Sequence, residues 1–186
     1  MKEILKGAII GGIKKWTDTD IYAVSMFVYN DGDNPSRPTV TLGYNTERRI
    51  AQKESGVSDI EFRWNYAYWL QNEELRFGFG DTAEIVKSWI IDQGLEYHED
   101  LDYEFTEEAE ENDEKITESF IELLIEIVKE IHEDKILTEK FGKEIPILIH
   151  ELEYYDEIAE QNIEANGEEL VKDFTAFIDW MEGKLN

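Results

Sequence analysis

The chain has no cysteine. That excludes disulfide staples and thiolate metal sites, and it fits a reducing, cytoplasmic compartment. It has no apolar run near the roughly 20 residues that span a bilayer, so no membrane partner is expected. The first residues hold charges on both sides of a short apolar run, but Gly11 and Gly12 interrupt that run and no small-residue cleavage site follows. The segment therefore reads as an ordinary N-terminal helix and not as a secretory signal. There is no internal repeat at any solenoid period. Basic residues are scarce in the second half, and the last arginine is Arg76.

Acidic residues fill that gap. Residues 1–93 hold 14 Asp/Glu against 11 Lys/Arg, while residues 94–186 hold 30 against seven lysines, within a total net charge of −26. Such a surface repels nucleic acid and anionic membrane and attracts basic proteins. An acidic excess that served solubility alone would be spread over both halves. The aromatic content of 12% is ample for a core, so the charge does not imply disorder. A length of 186 residues suits a single domain.

Periodicity then sets the elements. Ile4, Leu5, Ala8, Ile9 and Ile13 recur at helical spacing over residues 2–16. Residues 21–29 are apolar on both faces, as in a central strand. The Asn, Asp, Gly and Pro residues of 30–35 form a turn, and residues 39–44 alternate as the hairpin partner. Asn45-Thr46-Glu47 caps a short helix. Ile60, Phe62, Trp64, Tyr66 and Tyr68 alternate with more polar residues, which predicts a third strand over 59–65 and a turn near Tyr66. Asp81 is the expected cap of a helix that stops at Gly94.

Residues 96–114 contain 11 acids in 19 positions and no lysine or arginine. The part from Thr106 to Glu114 reads as a solvated loop, and a lobe boundary, if there is one, falls here. Tyr97, Tyr103 and Phe105 argue against a plain linker. Residues 114–134 carry the widest apolar face in the chain and predict the central helix. Residues 145–150 predict a buried strand. Helices follow over 154–165 and from Asn166, where Glu169 completes a capping-box pattern, to Gly183. The fold expected from this order is α+β, a small mixed or antiparallel sheet packed against several helices.

No motif for catalysis passes a role-by-role test, so an enzyme is disfavoured. His98, His132 and His150 lack chelating spacing. Asp31 and Asp33 open like a calcium loop that Pro35 and Ser36 break. Gly78-Phe79-Gly80 lacks the lysine and hydroxyl of a phosphate loop. No cofactor and no metal are expected. What remains is a recognition surface for a basic protein partner. Its expected residues are Arg63, Trp64, Tyr66, Tyr68 and Trp69, of types common at binding hot spots, with the acidic cluster Glu107, Glu108, Glu110, Glu111, Asp113 and Glu114. The alternatives are a small enzyme or ligand-binding domain built on residues 63–69, and a homodimer or larger homo-oligomer that uses the same aromatic segment.

The chain also resembles a bacterial family, a domain of unknown function of about this length. The likeness rests on Ile21-Tyr22-Ala23, Asn45-Thr46-Glu47, Arg63-Trp64, Trp69, the 145–150 strand and Asn166, and it covers residues 18–182. The resemblance implies no activity. Related small acidic domains are associated with toxin–immunity systems, which by analogy implies an immunity role. The acidic stretch 96–114 has no counterpart in that pattern.

Overall fold

The computed structural model describes residues 1–53, 55–100 and 106–184. Among them the architecture is α+β, with eight α-helices and four strands. Helix α1 (Lys2–Lys15) is followed by β1 (Ile21–Asn30) and β2 (Pro38–Thr46), an antiparallel hairpin. Two short helices come next, α2 (Glu47–Ile50) and α3 (Asp59–Trp64), and then β3 (Leu75–Phe77). Helix α4 (Ala83–Asp92), the long α5 (Glu107–Glu133) and α6 (Ile136–Phe141) lead to β4 (Ile147–His150). Two helices, α7 (Asp156–Asn166) and α8 (Glu168–Met181), complete the described chain. The sheet order is β3-β2-β1-β4, and β4 runs parallel to β1.

The sheet is buried on both sides, as the doubly apolar β1 suggests. Val24, Met26, Val28, Val40, Leu42, Ile147 and Ile149 join α1, α4, α5 and α6 in one core, which draws on both halves of the chain. The other face packs Ala23 and Leu148 against Trp64, Trp69 and the α8 residues Val171, Phe174, Phe177 and Ile178. The β1–β2 register shifts between Ile21 and Ala23. This bulge lets Tyr22 and its neighbour Ala23 enter the same second core.

The outer edge of β4 is closed by side chains from α7. Asn162 Oδ1 accepts from Ile149 N–H at 2.9 Å, and its Nδ2 donates to Ile149 C=O at 2.7 Å. One turn later, Asn166 does the same for Ile147, at 2.8 and 2.9 Å. Four helical residues rise about 6 Å, close to the advance of two strand residues, so the two amides match alternate strand positions. They take the place of a fifth strand and shield an edge that would otherwise pair with another chain. On β2, a Cβ at Gly43 would lie 2.5 Å from Asn72 O, so only glycine admits the segment that leads to β3.

Four expectations are corrected. Residues 59–64 form a helix, not a strand: Ser58 Oγ accepts from Glu61 N–H, and the period of two ran for too few residues to exclude a short helix. Residues 107–114 are the first two turns of α5, capped by Thr106, and not a loop. Asn166 ends α7 and does not cap α8, because its amide is committed to β4. Asp81 lies in a 3-10 turn, Gly80–Thr82, and Thr82 is the residue before α4. Tyr103 and Phe105 lie outside the described residues.

Candidate functional site

Tyr22, Asn45, Glu47, Arg63 and Trp69, from four of the motifs that carry the resemblance, converge on one network. The Tyr22 hydroxyl donates to the Arg63 carbonyl, which also accepts from Trp69 Nε1 at 2.9 Å. Asn45 Nδ2 donates to the Tyr22 hydroxyl at 2.9 Å. Arg63 forks onto both carboxylate oxygens of Glu47, at 2.9 and 2.7 Å, and lies 4.1 Å from the centre of the Tyr22 ring. The fork holds the Glu47 carboxyl below its usual range, and burial pushes the Tyr22 phenol up. Apart from Asn45 Oδ1, which is buried and has no hydrogen-bond partner among the described residues, these polar groups serve one another, so the network joins the β1–β2 hairpin to α3. Trp64 and Trp69 are buried core. Tyr68 is half-buried against Phe62, its ring centre 5.4 Å away. Of the five aromatic-segment residues expected to form a recognition surface, Tyr66 lines a groove.

Tyr66 also covers a buried polar pair. Ser25 Oγ lies 2.7 Å from His150 Nε2, and His150 Nδ1 lies 2.9 Å from the Glu151 carbonyl. A carbonyl cannot donate, so Nδ1 carries the proton and Nε2 accepts from the serine. Burial pushes the imidazole down to about 4. The arrangement has the outline of a nucleophile and its base. Phe27, Tyr66, Trp69 and Tyr154 surround it, however, and both residues are at most 2% exposed. It serves as a polar tie between β1 and β4. His150 is therefore a buried strand-end histidine, which its sequence position left open.

The groove beside this pair has a volume of about 570 Å³. Phe27 and Tyr29 of β1 and Thr41 of β2 line it, with Tyr66 alongside. The Phe27 ring stacks on Tyr29 at 5.5 Å and on Tyr66 at 5.2 Å, with interplanar angles of 24° and 15°. Asp31, Glu73 and Arg76 supply charge, and Leu152, 70% exposed, supplies an apolar lip.

The acidic cluster forms a second surface. At 3.6 residues per turn, Glu107, Glu111, Glu114 and Glu118 share one stripe of α5, flanked by Glu110 and Glu122 and extending about 22 Å. All six are exposed. Lys115 pairs with Glu111 at 3.3 Å; among the described residues the other five have no ion pair. Glu108 points away from the stripe by this spacing. Asp113 lies on another side of the helix, half-buried, where its carbonyl accepts from Thr117. Further along the helix, lysines meet several of the acids. Lys2 reaches Glu126 and Glu130, Lys6 reaches Glu130 and Asp134, and Lys129 reaches Glu164, all within 2.9 Å.

Among the described residues, one group could offer three ligand atoms to a cation: Asp156, Asp179 and Glu182. Lys184 bonds to Asp156 and Glu182 and chiefly accounts for the lowered Asp156 pKa, so an ammonium already balances the cluster. No histidine belongs to it. No helix among the described residues is long and apolar enough to cross a membrane.

Comparison with known proteins returns nothing: no family model, curated protein or solved structure matches the chain.

Proposed function

We propose that the protein binds a basic protein partner through the carboxylate stripe of α5 and neutralises it, as an immunity protein does a toxin or nuclease. The observation that carries this reading is that the acids are ordered. Like charges at i, i+4 cost a helix about 0.2–0.5 kcal/mol per pair. The stripe holds several such pairs: Glu107 with Glu111, Glu110 with Glu114, and Glu114 with Glu118. The helix dipole offsets the cost only within the first turn. Glu114, Glu118 and Glu122 lie beyond it and receive no such help. A purely solubilising segment has no need to hold its charges in a rigid row, whereas a surface that steers a cationic partner does.

The test is the association rate against ionic strength, for the parent and for a variant with Glu107, Glu110, Glu111, Glu114 and Glu118 changed to Gln. The basic partner is first retrieved at low salt from the host lysate and purified. The variant should associate more slowly and with a flatter salt dependence, because exposed charges beyond about 10 Å are screened at 0.1 M salt. It should also be as stable as the parent or more so. Identical salt slopes for the two proteins would remove the stripe from recognition and sink the reading.

A further inference from the structure

The groove on the second face of the sheet is separate from the stripe, since α5 packs on the first face. We propose that this groove takes an arginine side chain from a partner protein, stacked on its aromatic rings and paired with the Asp31 carboxylate at its rim. This goes beyond the stripe reading and does not depend on it.

Two aspects of the groove bear on its occupant. The first is its make-up. About 570 Å³ is ample for one long side chain and its neighbours. The rings of Phe27, Tyr29 and Tyr66 form a continuous stack, all three partly exposed. The Asp31 carboxylate has no hydrogen bond or ion pair among the described residues. Glu73 stands close enough to Tyr66 that its charge, after burial, raises the phenol pKa. Arg76, which also lines the groove, is committed to Glu73 at 2.7 Å and lies 5.0 Å from the Phe79 ring, which leaves Asp31 as the rim carboxylate without a cation.

The second is chemical precedent within the molecule. Arg63 already rests on Tyr22 while forking onto Glu47, and Arg76 combines Phe79 with Glu73. Ring plus carboxylate is the pairing that suits a planar, weakly hydrated guanidinium better than a compact, strongly hydrated ammonium. The groove offers the same rings beside one carboxylate, Asp31, that has no cation among the described residues. A second copy of the chain is a poor occupant, since it would bring its own charge of −26 to an acidic rim.

The experiment is aromatic-region NMR of the full chain titrated with three blocked tripeptides, Gly-Arg-Gly, Gly-Lys-Gly and Gly-citrulline-Gly, and with free arginine. Citrulline keeps the shape of arginine and removes its charge. The arginine peptide should move the Tyr29, Phe27 and Tyr66 ring signals and bind roughly threefold or more tightly than the citrulline and lysine peptides. Free arginine, which carries its own carboxylate, should bind more weakly than the blocked peptide. Asp31→Asn should weaken binding, and Tyr29→Ala should abolish it. If Tyr29→Ala fails to fold, the Asp31→Asn comparison still decides. Equal binding of arginine and citrulline peptides, or no ring shifts with any peptide, would overturn the proposal. So would ring shifts that track protein concentration alone, which would place a second copy in the groove. The stripe variant should keep its arginine-peptide shifts, so failure of one reading is distinguishable from failure of the other.

Discussion

The two faces of the sheet share the same strands and differ in what they hold. The first face is a continuous apolar layer, Val24, Met26, Val28, Val40, Leu42, Ile147 and Ile149, covered by α1, α5 and their neighbours. The second alternates aromatic and polar groups: Ser25, Phe27 and Tyr29 on β1, Thr41 on β2 and His150 on β4. Its lower half is sealed by Trp64, Trp69 and α8, and its upper half opens into the groove. The comparison separates stability from recognition. An apolar face of this kind contributes burial free energy and little else, whereas a face that keeps hydroxyls, an imidazole and partly exposed rings forgoes some of that burial and retains chemistry for a partner.

The comparison can be broken most sharply on the first face. Leu124 of α5 is fully buried there. Leu124→Asp should unfold the protein, since an unpaired buried charge costs several kcal/mol, on the order of a domain's whole stability. A cooperative melt within a few degrees of the parent would refute the placement of α5.

The second face should show itself through pH. The folded pKa of His150, about 4, lies below the ordinary value of 6.5. The unfolded chain therefore takes up this proton first. The stability that His150 contributes is complete above about pH 6.5 and is lost as the pH falls toward 4, by about 3 kcal/mol in total. Carboxylates held low by ion pairs, such as Glu47 and Glu130, also lose their contribution in acid, but equally in parent and mutant. Urea melts of the parent and of His150→Gln at pH 7 and pH 4.5 isolate the difference. If the two proteins respond to acid alike, the imidazole is not desolvated as described.

A smaller effect is expected where the faces meet, at the β4 edge. Asn162→Ala leaves the Ile149 N–H without its acceptor, while Gln161 still donates to the Ile149 carbonyl. The loss should be about 2 kcal/mol, with faster hydrogen exchange at the Ile149 amide. An unchanged exchange rate there would mean that the amide ladder does not close the edge.

Much of the fold is legible along the chain. Residues 21–29 read as a doubly buried strand because both their faces are apolar, and β1 is one. Helix α5 was visible from Ile116 onward because its apolar stripe is long. The errors came where local signals were short or ambiguous. Over residues 59–64, Ile60, Phe62 and Trp64 satisfied a strand period that six residues cannot distinguish from a helix. The Ser58-to-Glu61 capping pattern was the available signal for a helix. The three-residue β3 carries too little periodicity of its own, and the glycines of Gly78-Phe79-Gly80, which read as a strand end and helix entry, were its one signal. The expected recognition residues divided in the same way. Composition identified the acidic stripe but called it a loop, because it judged charge density without the Thr106 cap.

The sequence alone determined an α+β chain with a doubly buried central strand, a dominant helix and a strongly acidic second half. These properties are additive along the chain, and composition and period report them directly. Only the tertiary structure decided that Tyr22, Asn45, Glu47 and Arg63 meet, that Asn162 and Asn166 stand in for a strand, and that His150 lies beneath Tyr66. Each of these contacts joins residues distant in the chain. Their geometry depends on the bulge in β1 and on the packing of α7 along β4, which no local window of sequence contains.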